Sequence, residues 1–227
     1  DDVVVVDSGS SDRTIEIAKR YTEQVTTRLW EGYGSQKNYA TGLANYDWVL
    51  SIDADERVSK ELAEEIQALM QSAPAMQGYR IPRTTRYLGR WIRSTDWYPD
   101  RQLRLYDRRV AQWNDRYVHE SVRVQGRVGS LRAELYHRSY RGIGEHLSRM
   151  NHYTTLAAEQ MMADGRQTNW LDLIAYPPIV FFRNYIWRRG FSDYLPGLIV
   201  SLMNSYYVFC KFAKLWEQQT KSKRASE

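Results

Sequence analysis

Two carboxylates one residue apart, Asp53 and Asp55, end the short apolar run of Val49-Leu50-Ser51-Ile52-Asp53-Ala54-Asp55-Glu56. A buried strand that runs into acids carries negative charge to the mouth of a sheet, where ligands of open α/β folds bind. Crowded acids repel each other unless a cation sits with them. Hard oxygen donors of this kind suit Mg²⁺ or Mn²⁺, which take one or two protein carboxylates and complete their shell with substrate phosphates. Alternation along a strand puts residues i and i+2 on one side, so both acids are expected to face one site.

A second group of polar residues follows an earlier apolar run. Val3 to Val6 lead into Asp7-Ser8-Gly9-Ser10-Ser11-Asp12, where Asp7 and Ser8 can accept from a base N–H or a ribose hydroxyl. Lys37, in Gly34-Ser35-Gln36-Lys37-Asn38, stands at an expected helix start and can hold a diphosphate with help from the helix dipole. Val118-His119-Glu120-Ser121 offers Glu120 as a general base, able to take the proton of a hydroxyl acceptor as the new bond forms. Asp96 and Asp100 compete for that role. His137, after the last expected strand, can add an imidazole nitrogen to a metal shell.

The elements that must position these residues are legible from periodicity. Four valines suggest a strand buried on both faces. Ser11 or Asp12 is a natural N-cap for the helical pattern of Ile15, Ala18 and Thr22. Short strands are expected over 25–29 and 48–53, with helices from Ser35 to Ala44 and from Ser59 onward, the latter carrying Leu62, Ile66, Leu69 and Met70. From Gly78 to His137 short alternating runs read as strands, several of them antiparallel. After Gly142 the pattern is helical: 145–163, Trp170 to Phe182, Asn184 to Arg189 and Leu195 to Trp216, with Pro177-Pro178 and Pro196-Gly197 expected as breaks.

Composition narrows the functional classes. The 227 residues are 43% apolar, enough for a sizeable core, and the net charge of +5 favours anionic partners. A single cysteine, Cys210, excludes a disulfide within the chain. Basic residues are dispersed among acids rather than striped, which argues against nucleic acid. The 17 Tyr and 8 Trp suit sugar faces and membrane interfaces. An aspartyl-phosphate phosphatase is disfavoured because Arg57 stands where such enzymes want Thr or Val.

Val4-Val5-Val6-Asp7-Ser8-Gly9-Ser10-Ser11-Asp12-Arg13-Thr14, then Gly34 to Gly42, then Asp53-Ala54-Asp55-Glu56 resemble glycosyltransferase family 2 in order and spacing. The resemblance implies an α/β chain of the GT-A type: a Rossmann-like nucleotide-binding half with a mixed β-sheet over 1–141, then a helical, aromatic-basic region over 142–227. It implies an inverting transfer from a nucleoside-diphosphate sugar to a hydroxyl of a glycan or lipid-linked acceptor. Carried onto this sequence, Asp7 matches the acid at the base, Asp53 the acid near the ribose, Asp55 the metal ligand and Glu120 the base. Later features resemble the branch that builds lipopolysaccharide inner core. The family opens with a strand and a Thr-Tyr-Asn-Glu-like loop that this sequence lacks, so an upstream strand is expected. The alternative is a non-catalytic nucleotide-sugar-binding module or degenerate paralogue.

Residues 176–216 interleave aromatics with Arg183, Arg188, Arg189, Lys211 and Lys214. That mixture is expected to lie on an anionic leaflet, and the lipopolysaccharide-core resemblance then implies a cytoplasmic protein at the cytoplasmic face of the inner membrane. No run of 18 apolar residues predicts a spanning helix.

Overall fold

The computed structural model describes residues 2–114 and 121–225. The chain divides into two compact units, Asp1–Pro82 with Arg101–Leu135, and Arg83–Asp100 with Tyr136–Glu227.

In the first unit, β1 (Val5–Asp7) pairs in parallel with β2 (Val25–Thr27), with α1 (Thr14–Ala18) between them. Asp12 Oδ1 accepts from the Thr14 N–H at 3.0 Å and from its hydroxyl, tying down the chain before α1. The expectation of a strand buried on both faces is corrected. Val5 and Val6 are only half-buried and Val3 is 53% exposed, because β1 has β2 as its one strand neighbour among the described residues.

Then come α2 (Tyr33–Leu43), β3 (Trp48–Leu50), β4 (Glu56–Val58) and α3 (Lys60–Gln71). Ser59 caps α3 by accepting from Leu62 N at 3.0 Å. The apolar positions of α3 sit three and four apart. Leu62 is fully buried among Tyr79, Ile81, Leu105, Leu131 and Leu135, with Ile66, Leu69 and Met70 packed around it.

The remaining strands are β5 (Gly78–Tyr87), β6 (Arg90–Ile92), β7 (Asp100–Asp107), β8 (Ala111–Trp113), β9 (Val122–Val124), β10 (Val128–Ser130) and β11 (Leu135–His137). One mixed sheet has the order β3-β7-β5-β11-β4, with β10 parallel and β6 antiparallel to β5. β3 runs antiparallel to β7 with Leu50 opposite Leu105, and β8 pairs antiparallel with β9.

The second unit carries α4 (Ile143–Ala163), α5 (Trp170–Phe182) and α6 (Tyr194–Ala225). On α4 the buried residues His146, Met150, Thr154 and Ala158 recur every four positions, a single inward stripe. Lys214 of α6 donates to the Asn151 carbonyl at 2.6 Å and to Thr154 and Thr155 hydroxyls, joining α6 to α4. The expected breaks at the prolines do not occur. Pro177 and Pro178 lie inside α5, and the Pro177 carbonyl accepts from Ser205 of α6 at 2.7 Å. Pro196 falls in the first turn of α6, where its missing N–H has no helical partner to lose. A π-helical turn, Arg183–Trp187, follows α5 directly. The result is an α/β chain with a mixed sheet and a C-terminal helical region.

Candidate functional site

Two neighbouring side chains on α2 reach two different strand ends. Gln36 Nε2 donates to Ser8 Oγ at 2.8 Å, just beyond β1. Lys37 Nζ stands 2.8 Å from Asp53 Oδ1, beyond β3. The helix begins at Tyr33 after Gly32, whose φ of 111° only glycine adopts without strain. Lys37 is therefore in the second turn rather than at the helix start, one residue past the partner of Ser8.

The end of β1 is organised by Asp7. Its Oδ2 accepts from the N–H groups of Gly9 at 2.7 Å and Ser10 at 2.8 Å, and its Oδ1 from the Ser10 hydroxyl at 2.5 Å. The Ser10 hydroxyl and then its N–H hold the Asp7 carboxyl below the usual carboxylate range. Gly9, at φ 100°, lets the chain fold back over the carboxylate.

The acid pair is not on a strand. β3 stops at Leu50, and residues 53–56 form a turn closed by Glu56 N–H donating to the Asp53 carbonyl at 2.9 Å. The strand-alternation argument for Asp53 and Asp55 is corrected accordingly: a turn, not the pleat, sets their directions. Asp55 is exposed in that turn. Asp53 instead enters a buried ion network. Its Oδ2 accepts from Arg104 Nη2 at 2.6 Å, and the same nitrogen lies 2.7 Å from Glu56 Oε1. Glu56 Oε2 accepts the Asp53 N–H at 2.9 Å. Burial works against the charged Asp53 carboxyl, but Arg104 and Lys37 outweigh it and hold the group below its ordinary value.

Trp113 at the end of β8 is the platform for the cations. Lys37 Nζ lies 4.4 Å from its ring centroid and the Arg104 guanidinium 6.0 Å, within cation–π range. The ring is fixed by Nε1 donating to Tyr106 Oη at 2.9 Å, and that oxygen is 2.8 Å from Thr41 Oγ1 of α2. Asn38, the next residue of α2, holds the Trp113 backbone at both ends. Its Nδ2 donates to the Trp113 carbonyl at 3.0 Å, and its Oδ1 accepts the Trp113 N–H at 2.9 Å.

Three buried side-chain atoms of the described residues have no hydrogen-bond partner, and two of them, Gln36 Oε1 and Arg104 Nε, belong to this cluster. Unsatisfied buried polar groups ask for an explanation, and here one lies in the ion network and the other on the residue that holds Ser8.

The structure thus brings Asp7, Ser8, Lys37 and Asp53 around one stretch of α2. Arg104, Glu56, Trp113 and Asn38 join them, and sequence reasoning did not single these out for the site. A signal for Arg104 existed: in Gln102-Leu103-Arg104-Leu105-Tyr106 a cation alternates into the strand at a core position, which demands a buried anion.

Glu120 lies outside the described residues. The competing bases are both committed in the second unit. Asp96 pairs with Arg183 and with Arg188 Nε at 3.0 Å and accepts from Asn184 at 2.9 Å. Asp100 pairs with Arg83 at 2.6 Å. His137, also in the second unit, is buried with Nδ1 3.1 Å from Thr85 Oγ1.

Among the described residues no three His, Cys, Asp or Glu side chains are grouped to hold a metal. Mg²⁺ commonly takes only one or two protein carboxylates plus phosphate oxygens, and the exposed Asp55 carboxylate, two residues after Asp53, is of the chemistry that donor set wants. Asp53 does not fit it as well, since each of its oxygens already has a cationic partner.

A sequence profile described as Glycosyl transferase family 2 matches residues 1–128. The lipopolysaccharide core biosynthesis glycosyltransferase LpsC of Rhizobium meliloti is 31% identical over 228 residues, 96% of this chain and 83% of its own length. An uncharacterised glycosyltransferase of Rickettsia conorii is 30% identical over 243 residues, 98% of this chain and 83% of its own. Among solved structures, S. aureus TarS 1–349 in complex with UDP-GlcNAc aligns at 17% identity and a TM-score of 0.44, covering 100% of this chain and 83% of that one. With its profile match over residues 1–128 and relatives aligned along nearly its whole length, the chain belongs to glycosyl transferase family 2 and is a glycosyltransferase.

Proposed function

We propose that this glycosyltransferase moves a sugar from a nucleoside-diphosphate donor to a hydroxyl of a glycan or lipid-linked acceptor, with inversion at the anomeric carbon. The observation that carries this reading is the pairing of adjacent α2 residues with two strand ends, Gln36 with Ser8 and Lys37 with Asp53. It gathers hydrogen-bonding groups suited to a nucleoside and a cation suited to a diphosphate within one unit.

Each residue then has a task. Asp7 and Ser8 receive the nucleoside, with Asp7 held ionised by its Ser10 and Gly9 contacts. Asp53 serves the ribose hydroxyls and fixes Lys37, whose ammonium meets the diphosphate. Arg104 and Lys37 keep Asp53 charged, while Glu56 anchors Arg104 and accepts the Asp53 N–H. Asp55 is the residue that would hold Mg²⁺ or Mn²⁺, whose charge, when bound, offsets that of the departing diphosphate. Glu120 takes the acceptor proton while the acceptor oxygen bonds to the anomeric carbon and the bond to the diphosphate oxygen breaks. The guanidinium and amide contacts of Asp96 and Asp100 favour Glu120 over either. The role of the Rhizobium relative in lipopolysaccharide core biosynthesis supports a lipopolysaccharide-core acceptor, and work at the cytoplasmic face of the inner membrane is part of the same proposal.

A donor screen that reads released nucleoside diphosphate tests the reaction. One nucleotide sugar is expected to release its diphosphate only when an acceptor glycan is present. Binding of a nucleotide sugar with no release across donors and core-oligosaccharide acceptors would leave the non-catalytic binding module instead.

A further inference from the structure

Among the described residues, nothing covers the outer face of α5. Trp170, Leu171, Ile174, Pro178, Ile179 and Phe182 are all exposed, with Ile174 at 64% and Phe182 at 60%. Their spacing of three and four puts Leu171, Ile174, Pro178 and Phe182 along one face. The opposite face carries Val180, buried, and leads into Asn184, whose Nδ2 donates to the Val180 carbonyl at 3.0 Å. None of the exposed residues of α5 is charged. A helix at the surface of a water-soluble unit ordinarily turns a polar face outward, and one that is apolar all round is covered by something.

The charges around it identify the cover. Between residues 165 and 216 the only acids are Asp172 and Asp193, both buried, against Arg166, Arg183, Arg188, Arg189, Lys211 and Lys214. Asp172 is consumed by the capping box with Asn169, and Asp193 by Arg90, Ser94 and the Arg93 N–H. Asp96, from outside this stretch, pairs with both Arg183 and Arg188, and Arg166 meets Asp172, so the surface beside the apolar face keeps a cationic excess that includes the exposed Arg189. Trp170 and Trp187, at 66% and 87% exposure, stand at the two ends of the patch, the position that Trp takes at a headgroup boundary. No helix of the described residues is long and apolar enough to cross a membrane.

We infer that α5 is a docking helix for an anionic bilayer. It lies in the plane of the surface with Leu171, Ile174 and Phe182 among the acyl chains and Arg189 in the headgroup layer. This deepens the membrane part of the function proposed above, yet α5 carries it independently of the donor site.

Flotation of the purified chain with phosphatidylglycerol–phosphatidylcholine vesicles tests it. The protein is expected to float with these vesicles, and far less with phosphatidylcholine alone or in high salt. The double substitution Ile174→Ser with Phe182→Ser is expected to cut the vesicle-bound fraction at least about tenfold. Both side chains are exposed, so the thermal melt should not move. Arg189→Glu, which leaves the apolar face intact, should lower only the phosphatidylglycerol-dependent part, by several-fold to about tenfold. Absence of flotation, flotation indifferent to these substitutions, or a dimer that the double substitution splits in size-exclusion chromatography would each overturn the proposal. Donor turnover without vesicles separates the two readings. A protein that floats but never transfers sugar keeps the docking helix and loses the reaction, and one that transfers but never floats does the reverse.

Discussion

Arg104 lies 2.7 Å from Glu56, with 4% of the one side chain and none of the other exposed. It is a nearly dry ion pair placed directly under the candidate donor site. Removing one partner of such a pair leaves a charge that neither water nor protein compensates. Arg104→Met is therefore expected to destabilise the chain by about 3–5 kcal/mol, read from urea unfolding midpoints. Glu56→Leu added to Arg104→Met should restore part of that loss, since an apolar pair of similar volume tolerates burial. Equal loss in the single and double variants would refute the coupling.

Lys37 ties the donor site to this pair. Lys37→Ala removes the cation proposed for the diphosphate and one of the two that neutralise Asp53. A charge-assisted hydrogen bond contributes about 1.5–3 kcal/mol, so affinity for a nucleoside diphosphate should fall roughly ten- to a hundredfold. Titration calorimetry measures it. Undiminished affinity would assign Lys37 to structure alone.

The roles proposed for Asp55 and Glu120 separate binding from chemistry. Asp55→Ala is expected to abolish the metal-dependent part of nucleoside-diphosphate binding while leaving the melting temperature in place, because the side chain is exposed. Glu120→Gln should keep donor binding and lower kcat by about 10²–10⁴. Retained turnover in Glu120→Gln would move the proton transfer to another group.

Acid should weaken the fold through two named carboxylates. Asp7 is held down by the Ser10 hydroxyl, and Asp53 by Arg104 and Lys37 against the opposing effect of burial. A folded value below the unfolded one stabilises fully above the ordinary Asp value of about 4, and that contribution disappears as pH falls through the depressed folded values. Unfolding free energy followed from pH 7 to pH 2 should drop in this range. Asp7→Asn should make the drop shallower; an unchanged slope would show that Asp7 is not one of the titrating groups.

What could be read from the chain depended on how local its cause was. Ser59 and the spacing of Leu62, Ile66 and Leu69 announce α3 because a cap and an apolar stripe act within a few residues. Trp170 to Phe182 was legible for the same reason, and its prolines misled only about continuity, since α6 supplies the tertiary contacts that keep α5 whole. Asp7, Ser8, Lys37 and Asp53 were visible as types at strand ends. Their joining through α2 was not, nor was the ion pair that holds the Asp53 carboxylate, because its partner Arg104 is 51 residues away. Trp113 was hidden as one aromatic among many; only its Asn38 and Tyr106 contacts distinguish it.

The reciprocal grip of Asn38 on Trp113 makes a side-chain amide do what a neighbouring peptide does in a ladder. It indexes helix to strand like a tooth in a rack. A shift of α2 by one residue along its axis, about 1.5 Å, would unseat both bonds at once. Lys37 is carried on the same helix, one position before the tooth. The Cα of Lys37 therefore keeps a fixed register against the ring beneath it. The helix register under Lys37 is discrete, engaged or stripped, and finer adjustment of that cation is left to its own side chain.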